Sequence, residues 1–234
     1  MPTPNATLTR RVPSGEHHVV LEVTADDGPV AFTPGQFVNL GLARADGTWV
    51  QRPYSIASAP GSFVTGFVVT RVEGGALSPL LWNLEPGRRV FMERVAAGTF
   101  TLRDVPAGVP LLAVATGTGT APFVSMLRAD LWKGREVTVV HGARTPDGLA
   151  CALEFQATPG VRYLPTVTRF PSWNGRQGRV QAVLEDIRPD ASATHALVVG
   201  NPEMLREVRS LLEGWGFKKH RKRDPGNLHL EAYW

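Results

Sequence analysis

Hydrophobic and polar positions change their rhythm about halfway along the chain. In the first half, short apolar stretches suited to strands alternate with glycine- and proline-containing turns, such as Asp27-Gly28-Pro29 and Ala59-Pro60-Gly61. The strands predicted here are 17–24, 37–42, 52–58, 63–72 and 89–95. Many short strands punctuated in this way favour an antiparallel β-barrel or sandwich.

The second half begins with a continuous apolar run, 111–115, as expected of a strand that is covered on both faces. Strands and helices then alternate along the chain. The further predicted strands are 137–141, 162–167 and 195–199, and the predicted helices are 124–131, 152–156, 180–187 and 202–212. Pro202 begins the last helix and Gly214 lies beyond its end. This alternation predicts a doubly wound parallel α/β domain. A boundary near 105–108 would divide the chain into domains 1–106 and 107–234.

The composition is that of an ordinary globular protein, but its cysteine content and charge narrow the chemistry. The single cysteine, Cys151, excludes an intrachain disulfide and an all-cysteine iron–sulfur or zinc site, so redox chemistry would need a cofactor held in another way. No apolar run reaches the roughly 18 residues of a membrane helix, and the first residues lack the pattern of a signal peptide. We therefore expect a cytoplasmic protein without a metal site. No pattern indicates an oligomer, so the expected state is a monomer.

The first strand of the second half leads into a glycine-rich loop, Thr116-Gly117-Thr118-Gly119-Thr120-Ala121-Pro122. Glycines let a backbone approach a phosphate closely, and the start of a helix supplies free N–H groups. The usual dinucleotide fingerprint has a third glycine where this chain has Pro122. By pattern alone, the loop is therefore either a phosphate-binding loop or a tight strand-to-helix turn.

Arginines follow the next two strands at the positions where they would meet a nucleotide. The second strand ends at His141-Gly142-Ala143-Arg144 with no acidic residue to bind a ribose hydroxyl, and Arg169, Arg176 and Arg179 follow the third. The planar guanidinium suits phosphate, so this set favours NADP over NAD, although any one of them could be a solvated surface residue. His141 has no partner that the sequence reveals, and Cys151 is interpreted as a small buried residue.

Three segments and the end of the chain carry a family resemblance. Arg52-Pro53-Tyr54-Ser55, the loop 116–122 and Gly200-Asn201-Pro202 occur in the order found in the ferredoxin–NADP reductase superfamily, which this chain resembles over essentially its whole length. The ending Glu231-Ala232-Tyr233-Trp234 is similar to that of the bacterial ferredoxin (flavodoxin)–NADP reductases. The resemblance implies an FAD-binding antiparallel β-barrel followed by an NADP-binding α/β domain, with a C-terminal tail that returns to the flavin.

The resemblance also implies the residues that would hold FAD. Arg52 would bind the pyrophosphate, Tyr54 would lie against the isoalloxazine ring, and Ser55 would form a hydrogen bond near flavin N5. Trp234 would cover the flavin face that nicotinamide must reach, and Glu231 would relay protons there unless it is a solvated acid of the tail. The full set of implied FAD residues is Arg52, Pro53, Tyr54, Ser55, Val69, Ala76, Leu77, Ser78, Thr118, Tyr233 and Trp234, and the implied catalytic residues are Tyr54, Ser55, Glu231 and Trp234.

For NADP, the resemblance implies that arginines hold the 2′-phosphate and that the segment after the fourth parallel strand approaches the nicotinamide. Many plant-type relatives have cysteine where this chain has Val199, so a role for that cysteine is absent here. The implied NADP residues are Thr116, Gly117, Gly119, Ala143, Arg144, Arg169, Arg179, Gly200, Asn201, Pro202 and Glu203.

The implied activity is an exchange of electrons between NADPH, which gives a hydride, and ferredoxin or flavodoxin, which take single electrons through FAD. The net charge is +4, of which +3 lies in the last 17 residues, mostly in the run Lys218 to Arg223. This run could steer an acidic electron carrier, contact FAD, bind nucleic acid or be a solvated loop.

An NAD(P)H–flavin reductase or an oxygenase reductase component is the alternative enzyme. A nucleic-acid binder is the alternative without enzymatic activity. The resemblance favours acidic carriers as partners, and neither nucleic acid nor a membrane.

Overall fold

The alternating residues of the first half form a six-stranded antiparallel sheet in a computed structural model, which describes residues 2–233. The elements of this half are β1 (Ala6–Pro13), β2 (His18–Ala25), β3 (Phe37–Ala43), β4 (Trp49–Ser55), β5 (Val64–Thr70), α1 (Ser78–Trp82) and β6 (Arg89–Met92). The strand order is β4-β3-β6-β1-β2-β5, and a bridge between Ile56 and Phe67 joins the two ends of that order. The sheet therefore closes on itself, which confirms the predicted antiparallel barrel.

The barrel core is made of the side chains that alternate inward along these strands. Leu8, Leu21, Leu40 and Phe67 are fully buried there, and Leu81 of α1 packs into the same cluster. The sequence prediction missed β1 and α1 and placed β4 three residues too late. In β1, only Ala6 and Leu8 are buried before the strand becomes exposed at Thr9, so its apolar alternation is too short to be recognised.

The second half forms a parallel sheet, as the alternation of strands and helices predicted. Its elements are β7 (Leu111–Thr116), α2 (Ala121–Arg128), β8 (Val137–Ala143), α3 (Ala152–Ala157), β9 (Val161–Val167), β10 (Arg176–Gln177), α4 (Val180–Ile187), β11 (His195–Gly200), α5 (Pro202–Gly214) and β12 (Leu228–Ala232). Short 3₁₀ turns occupy Gly117–Thr120 and Pro146–Gly148. The strand order is β10-β9-β8-β7-β11-β12, with β7 at the point where the order reverses.

Two helix ends differ from the prediction, and each has a local cause. We expected Leu131 inside the second-half helix, but α2 ends at Arg128 because Asp130 adopts φ +55° and Leu131 N–H donates to Met126 O. We expected Gly214 beyond α5, but it is the last helical residue. Gly216, at φ +98°, reverses the chain instead, and Phe217 N–H donates to Leu212 O.

The chain divides into two compact units. Residues up to Thr101 together with Ala121–Leu131 form the first, and Leu102–Thr120 together with the residues from Trp132 onward form the second. Within the first unit, Ser125 Oγ of α2 donates to Ser58 O at 2.7 Å and an Arg128 N–H donates to Ala57 O at 3.0 Å. In the part of the chain that the structure describes, no helix is long and apolar enough to cross a membrane.

The strand β12 was not predicted, and it fixes the position of the basic run. It pairs in parallel with β11, with Leu228 opposite Ala196 and Ala232 opposite Gly200. The run Lys218 to Arg223 forms the turn that leads into this strand, with Lys219 bridged to Leu228 and Arg221 bridged to Asp224. The basic turn therefore lies at the amino end of the parallel sheet.

Three histidine rings stack beside this turn. The ring of His229 lies 4.6 Å from that of His220 and 5.7 Å from that of His195. Burial, with neighbouring histidines, lowers the pKa of His229 to about 4, and burial likewise lowers the pKa of His195. His229 is therefore neutral at ordinary pH. Among residues 2–233, no group of three or more His, Cys, Asp or Glu side chains is arranged to hold a metal ion.

Candidate functional site

The Arg52-Pro53-Tyr54-Ser55 segment lies on β4, which pairs along this stretch with β3 alone. An unpaired edge tolerates Pro53, because proline has no N–H to donate. Successive residues alternate between faces, so Arg52 and Tyr54 project on the same side. Arg52 is exposed, and burial raises the pKa of the Tyr54 phenol to about 12, against the opposing effect of the Arg52 charge. The strand thus presents the exposed guanidinium of Arg52 on the same side as the half-buried, protonated phenol of Tyr54.

A cleft of about 670 Å³ opens next to this strand. Arg44, Trp49, Arg52 and Ala76 are among the residues that line it. Its volume is in the range of small-molecule and cofactor sites. Arg52 donates to the neighbouring Gln51 O at 2.7 Å through only one of its terminal nitrogens, which leaves further guanidinium N–H groups for an anion. Arg52 and Ala76, both predicted FAD residues, are therefore brought to one cleft.

The loop before α1 is tightly folded around Gly75. A Cβ atom on Gly75 would lie 2.7 Å from Ser78 Oγ and 2.9 Å from Val72 O, so only glycine fits there. Ser78 Oγ accepts the Val72 N–H at 3.2 Å, and Leu77 is buried in the barrel core. The side chain of Val69 is also fully buried in that core, so only its backbone is available to a ligand.

In the second unit, Thr116 lies between two glycines at the carboxyl edge of the parallel sheet. A Cβ on Gly142 would come 3.4 Å from Thr116 Cγ2, and one on Gly200 would come 2.4 Å from Thr116 Oγ1. A Cβ on Gly119 would come 3.0 Å from Val199 O. These close approaches explain why glycine occurs at the ends of β8 and β11 and in the loop after β7. The same edge is where nucleotides bind in open parallel sheets.

Two of the predicted phosphate-binding arginines are brought together at this edge. The backbone N–H of Arg169 donates to Arg144 O at 2.7 Å, so the loops after β8 and β9 are joined directly. Both side chains are exposed, and neither forms an ion pair among residues 2–233. Two unpaired guanidinium groups on adjacent loops are suited to a dianionic phosphate.

The other two arginines already face carboxylates. Arg176 forms an ion pair with Asp186 and donates to Ala182 O at 3.0 Å, which agrees with its having no counterpart in the resemblance. Arg179 lies 3.2 Å from the half-buried Glu207 and 3.8 Å from Glu203, and the side chains of Arg179 and Glu203 are largely exposed. Exposed pairs of this kind are weak, so a phosphate could displace Glu207 from Arg179.

Asn201, Pro202 and Glu203 form the first turn of α5. Asn201 caps the helix, because its Oδ1 accepts the Met204 N–H at 2.9 Å, and Pro202 occupies the first helical position. Glu203 is exposed in that turn. The sequence prediction of this strand-to-helix junction is therefore confirmed in its geometry, while its contact with nicotinamide stays a prediction.

The end of the described chain runs along the same edge. Glu231 lies opposite Val199 on β12, and Tyr233 N–H donates to Gly200 O at 2.8 Å. Burial raises the pKa of the Glu231 carboxyl to about 7, so it titrates near neutral pH and is not an ordinary solvated acid. Trp234 lies outside the described residues, so its predicted position over the flavin stays a prediction.

The partners of His141 correct the sequence analysis, which found none. The imidazole is fully buried, with Nδ1 3.0 Å from the Tyr163 hydroxyl and Nε2 3.0 Å from Gly117 O in the glycine loop. The signal was a polar residue at the end of an otherwise apolar strand, next to Gly142. Cys151, which was predicted to be buried, is only partly buried, at φ +61°, where the chain enters α3.

Comparisons with known proteins agree with this arrangement. Residues 113–210 match the family described as "Oxidoreductase NAD-binding domain". The chain is 39% identical over 204 residues to ferredoxin–NADP reductase B of Sorangium cellulosum, covering 81% of this chain and 82% of that one. It is 34% identical over 219 residues to the flavodoxin/ferredoxin–NADP reductase of Escherichia coli, covering 87% and 88% of the two chains.

A solved structure shares the fold. The ferredoxin NADP⁺ reductase of Neisseria gonorrhoeae, crystallised with bound FAD and NADP, superposes with a TM-score of 0.88 at 23% identity and covers 97% of each chain. At that identity, the likeness concerns the fold alone.

Proposed function

The chain belongs to the ferredoxin–NADP reductase family, and we propose that it is an FAD-dependent oxidoreductase that exchanges electrons between NADP(H) and a ferredoxin or a flavodoxin. The observation that carries the NADP part is the pair of unpaired guanidinium groups, Arg144 and Arg169, on loops joined by a 2.7 Å hydrogen bond. NAD carries a ribose hydroxyl where NADP carries a phosphate, and no acidic residue stands at the end of β8 to bind such a hydroxyl.

The residues of the first unit fit FAD. A pyrophosphate needs cationic, planar donors, and Arg52 has guanidinium N–H groups exposed beside the cleft. An isoalloxazine ring needs a flat apolar surface, and Tyr54 offers an aromatic ring whose phenol stays protonated. Ser55, Ala76, Leu77 and Ser78 are the further FAD residues in this proposal, together with the backbone at Val69.

The residues of the second unit fit a dinucleotide. Glycine at positions 119 and 200 leaves the carboxyl edge of the sheet free of side chains at these two positions, where Thr116 and Gly117 begin the loop. Arg144 and Arg169 would bind the 2′-phosphate, and Arg179 would join them after release from Glu207. Asn201, Pro202 and Glu203 would approach the nicotinamide.

When bound, FAD supplies the exchange between a two-electron hydride donor and one-electron carriers. The protein's own residues bind and orient the cofactors and manage protons. Glu231, with its pKa raised to about 7, can hold a proton or release it near neutral pH. Tyr233, whose N–H donates to Gly200 O, holds the end of the chain at the nucleotide edge.

Anaerobic reduction of the purified protein tests the proposal. The protein should carry a flavin that denaturation releases, and NADPH should bleach its visible absorbance at far lower concentration than NADH does. Equal bleaching by both nucleotides would favour an NAD(P)H–flavin reductase or an oxygenase reductase component. A protein without flavin, or a flavin that neither nucleotide reduces, would refute the proposal.

A further inference from the structure

The buried contacts of His141 determine which of its ring nitrogens carries the proton. Gly117 O can only accept a hydrogen bond, so Nε2, 3.0 Å away, must be its donor. In the neutral ring, Nδ1 is then an acceptor, and the Tyr163 hydroxyl at 3.0 Å donates to it. Burial raises the pKa of the Tyr163 phenol, so this hydroxyl keeps its proton. A directed chain of two hydrogen bonds therefore runs from Tyr163 through His141 to the glycine loop.

The Tyr163 end of these two hydrogen bonds is held by aromatic packing. The Tyr163 ring stacks on Phe155 with centroids 5.6 Å apart, and Phe155 stacks on Trp132 at 6.0 Å. Phe155 is fully buried and Trp132 is nearly so. The packed Tyr163 ring places its hydroxyl beside Nδ1, and this hydrogen bond directs the Nε2–H of His141 toward Gly117 O.

At the other end of these hydrogen bonds, the backbone of Gly117 can change its conformation more easily than that of a residue with a side chain. Gly117 adopts φ +55°, and glycine crosses between positive and negative φ at little cost. Thr120 Oγ1 closes the turn through Gly117 O at 3.3 Å and Ala150 O at 3.4 Å, but neither contact is as short as that from His141. The imidazole therefore makes the shortest side-chain hydrogen bond to the Gly117 carbonyl, in addition to the backbone bonding of the 3₁₀ turn Gly117–Thr120.

The direction of this carbonyl sets the direction of an N–H. No peptide bond is cis among the described residues, and in a trans peptide the N–H points opposite to the C=O. With Gly117 O fixed toward His141, the Thr118 N–H of the same peptide points to the other side of the loop. If the peptide flipped, a carbonyl oxygen would take its place and repel an anion.

We propose that His141, oriented by Tyr163, is a positioning residue that keeps the Gly117–Thr118 peptide in the orientation that accepts the pyrophosphate of NADP(H). This inference rests on the proposed function. It predicts that loss of the Nε2–H donor weakens nucleotide binding without affecting the flavin or the reactivity of nucleotide already bound.

Two substitutions at the same position separate donor geometry from packing. In His141→Gln, the amide nitrogen lies near the place of Nε2 and can still donate to Gly117 O. In His141→Asn, the amide is too short to reach it. We expect His141→Asn to raise KM for NADPH about tenfold, the order expected for one buried hydrogen bond, with kcat for ferricyanide reduction within about twofold of wild type. His141→Gln should stay within about threefold in KM.

Tyr163→Phe and nitrogen NMR complete the test. Tyr163→Phe should raise KM for NADPH in the same direction by a smaller factor, because the imidazole keeps its donor but loses its orientation. In ¹⁵N-histidine spectra of the wild-type holoprotein, the signal that His141→Gln removes should show a protonated Nε2 and an unprotonated Nδ1. His17→Asn, at an exposed histidine, is the matched control and should change neither KM nor that signal.

The outcomes distinguish this inference from the proposed function. A protonated Nδ1 at His141, equal KM values for the Gln and Asn variants, or an unchanged KM in His141→Asn would each overturn the inference. If the wild-type flavin is not reduced by NADPH at all, the proposed function fails. Because the NMR measurement uses the wild-type holoprotein, it decides the matter even if His141→Asn does not fold.

Discussion

Arg144 and Arg169 carry guanidinium groups without an ion pair among residues 2–233, whereas Arg176 and Arg179 face carboxylates. The difference matters for binding, because a paired arginine must first lose its partner before it can hold a phosphate. The positions of these four arginines in the sequence do not show which of them is paired. Only the fold shows that Asp186, ten positions after Arg176, comes back beside it on α4.

Arg144→Ala should raise the KM or Kd for NADPH by about 10- to 100-fold, the range expected for charge-assisted hydrogen bonds to a phosphate. The values for NADH should change much less, since NADH lacks the 2′-phosphate. Arg176→Ala, which removes an arginine on β10 that already forms an ion pair with Asp186, is the control and should have little effect. Equal losses for NADPH and NADH in Arg144→Ala would contradict the phosphate-binding role.

Glu231 is expected to make the protein less stable as the pH rises. Its folded pKa of about 7 exceeds the ordinary value of 4.5, so the folded state binds the proton more tightly than the unfolded state. The stabilisation is complete below pH 4.5 and is lost as the pH rises through 7. Glu231→Gln should therefore raise the melting temperature at pH 8 and leave it nearly unchanged at pH 4.5. The exposed Glu136→Gln is the control, and the same gain at both pH values in Glu231→Gln would argue against the titration.

At the scale of elements, the carboxyl edge of the parallel sheet is built by close approach of strands and loops. Gly200, at the end of β11, has both Thr116 and Met204 against it, and it also pairs with Ala232 of β12. A methyl group there must push against two side chains at once. The glycine positions were visible in the sequence, but the neighbours that require glycine were not, because they come from β7 and α5.

Gly200→Ala should lower the free energy of unfolding by about 1–3 kcal/mol, since its Cβ would lie 2.4 Å from both Thr116 Oγ1 and Met204 Cε. It should also raise KM for NADPH, because Thr116 would be displaced at the nucleotide edge. Gly214→Ala is the matched control, since nothing lies within 4 Å of its Cβ and alanine favours helix. That substitution should stabilise the protein by about 1 kcal/mol. Denaturant titrations of both variants measure the two effects, and a stable Gly200→Ala protein would show that the edge can relax.

Two positive regions stand at opposite ends of the parallel sheet in the second unit. Arg144 and Arg169 occupy the carboxyl edge, and the basic turn 218–223 precedes β12 at the amino end. The five residues of β12 span about 16 Å at ~3.3 Å per residue, so the two regions are separate. The turn is exposed except at the half-buried Lys219 and His220, and Lys218 in it forms an ion pair with Asp224.

A charge-reversed turn tests whether it steers the carrier. Lys219→Glu combined with Lys222→Glu should lower the association rate of an acidic ferredoxin or flavodoxin by about tenfold at low salt, with little difference at high salt. Ferricyanide reduction by NADPH should be unchanged, since the nucleotide edge lies at the other end of the sheet. Charge reversal at the exposed Glu136 is the control of opposite sign. Unchanged carrier kinetics in the double variant would assign docking to another surface.

The two-part architecture and the fold class of each half were predictable, whereas the order of the strands in each sheet and several elements and contacts were not. Apolar runs predicted β7, β8 and β11 because each is buried along most of its length, and they predicted β9 although only its last two residues are buried. Apolar periodicity missed β12, because the residues before it read as a charged tail, and it missed β1, because only two of its residues are deeply buried. Periodicity could not reveal the hydrogen bonds of His141, because Tyr163 is 22 residues away in the sequence and reaches His141 only through the pairing of β8 with β9.

The partly buried Cys151 gives this chain a single attachment point for a spectroscopic reporter. It is the single cysteine, so a maleimide dye or a nitroxide spin label would attach at one place without any background substitution. The neighbouring Ala150 carbonyl accepts from Thr120 of the glycine loop. A label at Cys151 is therefore linked covalently to a segment that contacts the loop, and its fluorescence or line shape should report nucleotide binding in real time.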